Sequence, residues 1–126
     1  MIYIMKWRIE LYKTVSGEYP VLNFIQSLSH KQRAKIEKEI DLLELYGIFL
    51  SYPYKRKIRG DRYKDLWELR TSSDKSQFRV IYFLYMENIF VLIHAFCKKK
   101  QKTPRNELEI ARGRMIDFLD RNKAVK

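Results

Sequence analysis

Trp7, Ile9 and Leu11 alternate with Lys6, Arg8 and Glu10, the period of a strand with one face buried. Ser16-Gly17 ends it. Pro20 suits a first helical turn, and Val21, Phe24, Ile25 and Leu28 then share one helical face, which predicts a short helix up to the Ser27–Ser29 region. Ser29 is placed to cap a second helix carrying Ile36, Ile40 and Leu43, with Leu42, Leu45 and Tyr46 widening the stripe and Gly47 as its stop. The outward face of this helix mixes Lys35, Glu37, Lys38, Glu39, Asp41 and Glu44, so its charge nearly cancels and it reads as a solvated face.

After Pro53 the pattern switches to period two, with turn signals at Gly60-Asp61, around Ser72-Ser73-Asp74 and at Glu87-Asn88. Consecutive antiparallel strands follow from it, and the run from Ile89 to Cys97, apolar almost throughout, reads as a central strand covered on both faces. Thr103 as cap and Pro104 at the first position open a last helix whose stripe is Leu108, Ala111, Met115, Phe118 and Leu119. The expected fold is α+β: an N-terminal strand, a two-helix hairpin, an antiparallel β-meander and a closing helix. With no repeat or linker, residues 1–126 are expected to form one domain.

A hydrophobic content of 46%, with 14% aromatic residues, excludes a disordered tail protein, and no apolar run has the length of a membrane span. The start, Met1-Ile2-Tyr3-Ile4-Met5-Lys6, lacks the basic-then-apolar order of a signal peptide. A lone cysteine, Cys97, cannot form an internal disulfide and offers no metal-ligand spacing; it is expected to be a small buried hydrophobe. A cytoplasmic protein without metal or cofactor is the resulting expectation.

Charge changes the picture. Between Ser51 and Arg105 there are fourteen Lys and Arg against five Asp and Glu, so nine of the eleven net positive charges fall in the meander and its flanks. A sheet with cations at its strand ends suits a polyanion.

Three segments carry most of that charge: Leu66-Trp67-Glu68-Leu69-Arg70, Phe78-Arg79-Val80-Ile81-Tyr82, and His94-Ala95-Phe96-Cys97-Lys98-Lys99-Lys100-Gln101-Lys102-Thr103-Pro104. In this order and spacing the chain resembles the RelE/ParE toxin superfamily, specifically its HigB-like branch, which includes phage-derived members. The resemblance covers nearly the whole chain and implies the compact α+β fold those toxins share with small microbial ribonucleases. It implies the toxin of a type II toxin–antitoxin pair, an endonuclease that cleaves mRNA in the ribosomal decoding site. The implied partners are the ribosome, mRNA and a cognate antitoxin, often a helix-turn-helix protein.

RNA cleavage by its own 2′-hydroxyl needs that hydroxyl deprotonated, charge stabilised on a pentavalent phosphorus, and a proton for the leaving 5′-oxygen. Arg70 and Arg79, on adjacent strands, are the best phosphate ligands, because a guanidinium fork fits phosphate and keeps its charge. Otherwise they are exposed strand residues paired with Glu68 or Asp74. Of Lys98, Lys99 and Lys100, which follow an apolar strand, at least one must face the arginines. Lys98 and Lys99 are the candidates for acid, base or counter-charge, with a solvated basic turn as the alternative. Glu68 shares a face with Arg70 by parity, either as general base or as the counter-ion that orients the arginine.

Lys57 and Arg59, with Lys100 and Lys102, are expected to grip RNA backbone, or in the case of Lys57 and Arg59 to protect a charged edge strand. His94 lies on the face of Lys98 by parity and reads as a satisfied core residue, whereas His30 reads as solvated. Tyr63, Tyr82 and Tyr85 read as core rather than as stacking platforms. With no histidine pair, weak activity on free RNA follows, the ribosome aligning the substrate. Two other classes stay open: a gyrase-directed toxin of the ParE branch, and a non-catalytic basic module that binds nucleic acid.

Overall fold

The structure, a computed structural model, describes residues 6–50, 54–99 and 103–123. Pro53, Lys100 and Lys102 lie outside the described residues. Five strands form one sheet: β1 (Arg8–Leu11), β2 (Lys55–Lys57), β3 (Trp67–Ser73), β4 (Ser76–Tyr85) and β5 (Ile89–Lys98). Their spatial order is β1-β5-β4-β3-β2, with β1 parallel to β5 and every other pair antiparallel. Helices α1 (Pro20–Gln26) and α2 (His30–Tyr46) cover one face, packing on β5 and β3, and α3 (Arg105–Arg121) covers the other. The expected α+β order is therefore the observed one.

Local chemistry explains most boundaries. Ser29 accepts from the Gln32 amide while the Gln32 side chain accepts from the Ser29 amide, a reciprocal cap that starts α2. Gly47 stops it at φ 57°, and a Cβ there would lie 2.0 Å from the buried Trp7 ring, so the stop is also a packing position. Trp7 in turn stacks on Phe90 of β5.

The sheet separates two cores. Val80, Tyr82, Phe90 and Leu92 face α1 and α2, whereas Ile81, Phe83, Val91 and Ile93 face α3. A register shift in the β4–β5 pair puts Tyr82 opposite Leu92 and Ile81 opposite His94, so Ile93 is the extra residue of a bulge. Both Ile93 and His94 consequently point to the α3 side. β5 is buried from Phe90 to Phe96, as its apolar run predicts.

Several expectations are corrected. Leu45 and Tyr46 do not widen the buried stripe of α2; they are exposed, because Ile36 and Leu43 already occupy the face towards β3. Leu119 is partly exposed beside the buried Phe118. Strand β3 continues through Ser73, and the turn is Asp74-Lys75, with Asp74 in the left-handed region at φ 56°. Thr103 does not cap α3: Pro104 stands at the cap position, and the Thr103 hydroxyl is engaged elsewhere. Cys97 is exposed at the end of β5. Tyr82 and Tyr63 are buried, and Tyr85 packs its ring against Phe118, as core residues should.

Candidate functional site

Register turns the separate motifs into a grid on the α3 side of the sheet. Arg56 of β2 stands opposite Glu68 of β3, Arg70 of β3 opposite Arg79 of β4, and Gln77 of β4 opposite Lys98 of β5. Glu68 and Arg70 are two residues apart on one strand, as are Gln77 and Arg79, so all six share a face. The grid lies towards the end of the sheet where β2 and α3 both begin.

Burial makes this grid unusual. Arg79 is 2% exposed, Glu68 3% and Lys98 9%. Arg79 Nη1 donates to the Phe78 carbonyl at 2.9 Å and Nη2 to Gln77 Oε1 at 3.1 Å, while Nε stands 3.8 Å from Glu68 Oε1 with no hydrogen-bond partner. The other oxygen of Glu68 accepts from the Thr103 hydroxyl at 2.9 Å. Glu68 is thus held between the sheet and the segment that leads into α3.

Like charges placed directly opposite on a sheet are destabilising, and Arg70 faces Arg79 in this way. Burial lowers the affinity of Arg79 for its proton; Glu68 opposes that effect, while Arg70 and Arg56 add to it. Lys98 is pushed below the usual lysine range by burial first and then by Arg79, Arg70 and Arg56, again against Glu68. Glu68 is the one carboxylate among the charges that act on both Arg79 and Lys98, and the other charges acting on them are cationic.

Two clefts flank this cluster. Arg70 and Arg79 line one of about 490 Å³, whose other wall is Lys35, Lys38 and Glu39 of α2 together with Tyr54. Glu68 and Lys98 line the second, of about 260 Å³, with Arg56, Arg59, Thr103 and Leu108. The expected residues Arg70, Arg79, Lys98, Glu68, Lys57 and Arg59 thereby line these two clefts.

Lys99 is the exception: it is exposed and lines a separate hollow with Phe96, Cys97, Pro104 and the first turn of α3. Lys57 pairs with Trp67 and lines the second cleft with Arg56 and Arg59. Arg56, which stands opposite Glu68, joins the expected cations there. Parity within Lys55-Arg56-Lys57-Ile58-Arg59 allows either face, and only the pairing of β2 with β3 decides between them. Thr103 was likewise hidden, since its sequence context matches a helix cap.

His94 is drawn away from the cluster. Its Nδ1 lies 2.9 Å from Nη1 of Arg114 and its Nε2 3.0 Å from Oε2 of Glu107. A guanidinium only donates, so Nδ1 accepts and Nε2 carries the proton that Glu107 receives. The ring is the neutral tautomer, satisfied from α3, as read from the sequence.

A family model described as phage derived protein Gp49-like (DUF891) matches residues 23–116, most of the chain. The chain belongs to the Gp49-like family. That stretch contains Arg56, Glu68, Arg70, Arg79, Lys98 and Thr103, and leaves out β1. The Gp49-like family is associated with toxins of toxin–antitoxin systems of the RelE/HigB type, an association that suggests a toxin-type protein and implies an antitoxin partner. No curated protein matches the chain. Among the described residues no helix is long and apolar enough to cross a membrane.

Proposed function

We propose that this Gp49-like protein is the toxin of a type II pair and cleaves mRNA held on the ribosome, without a metal. The observation that carries the reading is the opposed pair Arg70 and Arg79, with Arg79 buried beside Lys98 and its Nε without a hydrogen bond. Such an arrangement costs stability and is matched by a bound phosphate.

In this reading the 2′-hydroxyl of one nucleotide attacks the adjacent phosphorus, the bond to the 5′-oxygen breaks, and a 2′,3′-cyclic phosphate and a 5′-hydroxyl result. Arg70 and Arg79 neutralise the charge gathered on the pentavalent phosphorus. Lys98, whose hold on its proton is weakened by burial and by the neighbouring Arg79, gives a proton to the leaving oxygen. Glu68 positions Arg79 and is not the base. His94 is committed to Glu107 and Arg114, which supports a requirement for the ribosome to align the 2′-hydroxyl and to take up its proton. Arg56, Lys57, Arg59 and, beyond the described residues, Lys100 and Lys102 grip RNA backbone.

Induced expression tests this: wild type arrests growth, and Arg79→Ala or Arg70→Ala relieves the arrest at equal soluble yield, each lowering cleavage of ribosome-bound mRNA by about 10²- to 10³-fold. Full toxicity of both variants would place the site elsewhere. Trapping of gyrase on DNA with no mRNA cleavage would favour the ParE-like alternative, and RNA binding without either activity the non-catalytic one.

A further inference from the structure

The α2-side cleft has no role in the chemistry above, yet it opens directly onto Arg70 and Arg79. Its volume, about 490 Å³, lies in the range of small-ligand sites. Tyr54 is 45% exposed, and its carbonyl accepts from the Arg70 amide at 2.9 Å, so the aromatic residue is pinned beside a phosphate-binding arginine. Across the cleft, the Lys35 ammonium is held on the Ser72 carbonyl at 3.2 Å, with exposed Lys38 one helical turn on. Glu39, the acidic lining residue, has one carboxylate oxygen buried without a partner, so that oxygen does not face the opening.

An exposed ring next to an arginine, with further lysines behind it, has the chemistry of a nucleotide: a base to stack, a phosphate at one end, the next phosphate at the other. We propose that this cleft is a subsite for single-stranded RNA, in which Tyr54 stacks the base just upstream of the cleaved bond and Lys35 and Lys38 hold the preceding phosphate. The direction follows from the reading of the site given above, on which this inference rests. Lys98 serves the leaving 5′-oxygen from the second cleft, so the nucleotide that carries the attacking 2′-hydroxyl occupies the first. Helix α2, whose outer charges nearly cancel along the sequence, thereby contributes its lysines on one side to substrate binding.

Two measurements with the full chain test it. The first is binding of a short single-stranded RNA, blocked by 2′-O-methyl groups, across a range of salt; the second is cleavage of ribosome-bound mRNA as a function of toxin concentration. Tyr54→Ala should weaken RNA binding by about tenfold while Tyr54→Phe retains it. An abasic nucleotide immediately 5′ of the cleavage position should abolish the difference between wild type and Tyr54→Ala, whereas an abasic nucleotide on the 3′ side should leave it intact. Lys38→Glu, at an exposed helix position that folding tolerates, should reduce the salt slope by at least about 0.7. In the cleavage assay these variants should need more toxin for half-maximal rate at an unchanged plateau. If wild type cleaves and binds but the variants match it in both assays, the subsite is wrong and the nuclease reading stands. If wild type does not cleave yet binds RNA in a Tyr54-dependent way, the nuclease reading fails and the subsite survives as a binding site. Failure to bind or cleave overturns both.

Discussion

At Glu68 and Arg79 a carboxylate and a guanidinium are buried side by side, so each would stand uncompensated if the other alone were removed. Removing one partner of a buried ion pair leaves the other charge uncompensated, so Glu68→Ala should cost roughly 3–5 kcal/mol in urea unfolding, with the acceptor of the Thr103 hydroxyl lost as well. The double substitution Glu68→Leu, Arg79→Leu should recover most of that loss and still be non-toxic. Recovery of stability together with toxicity would show that the pair serves only the fold. His94 supplies a second expectation at this scale. Burial lowers its pKa below the usual 6.5, and Arg114 adds to that effect, while the bond to Glu107 opposes it. The folded state therefore binds fewer protons than the unfolded chain as pH falls below about 6.5, so stability is present above that value and declines on acidification. Unfolding in urea at pH 7.5 and pH 5.5 measures this, and His94→Gln should flatten the difference; an unchanged difference would assign it to other groups.

Between elements, the turn at the end of α2 is the most constrained point. Gly47 combines a left-handed φ of 57° with a Trp7 ring 2.0 Å from where a Cβ would stand, and both penalties apply to any side chain. Gly47→Ala should cost roughly 2–4 kcal/mol, combining backbone strain with overpacking, read as a fall in the thermal midpoint and checked by the Trp7 environment in near-ultraviolet dichroism. This stop was legible from the sequence as a glycine after a periodic stretch, as was the Ser29 cap, because both signals are local. Relations across strands were not. Parity correctly put Glu68 with Arg70 and His94 with Lys98, since each pair lies on one strand. It could not put Arg56 opposite Glu68, because that needs the register of β2 against β3. Nor could it show that the Thr103 hydroxyl serves Glu68: a hydroxyl before a helix can accept from a helix amide or donate to a carboxylate, and only the fold shows that a buried carboxylate lies within its reach. The exposure of Leu45 and Tyr46 was hidden for a similar reason, since a stripe shows which residues share a face but not how wide the covering sheet is.

For the molecule as a whole, the deciding quantity is a net charge of +11 of which nine charges sit in the meander and its flanks, so one region carries the positive field. Any partner that silences the site must meet that field. The antitoxin should present acidic and apolar residues, and should either cover Arg70, Arg79 and Lys98 or displace α3. Both routes follow from the same geometry: Thr103 ties the start of α3 to Glu68, so moving the helix withdraws a hydrogen bond from the carboxylate that orients Arg79. Attraction between an acidic partner and a basic surface steers encounter, raises the association rate at low salt and is screened once the Debye length falls to about 8 Å near physiological ionic strength. Association rates of purified toxin and antitoxin, followed from about 10 mM to 1 M salt, should therefore fall by at least about tenfold while the dissociation rate changes little. The substitution Thr103→Val separates the two routes. If the antitoxin covers the cations, the variant should bind it as wild type does; if it displaces α3, loosening the helix start should speed association. A rate indifferent to salt would remove electrostatics from the account and leave an apolar groove as the means by which such a partner binds.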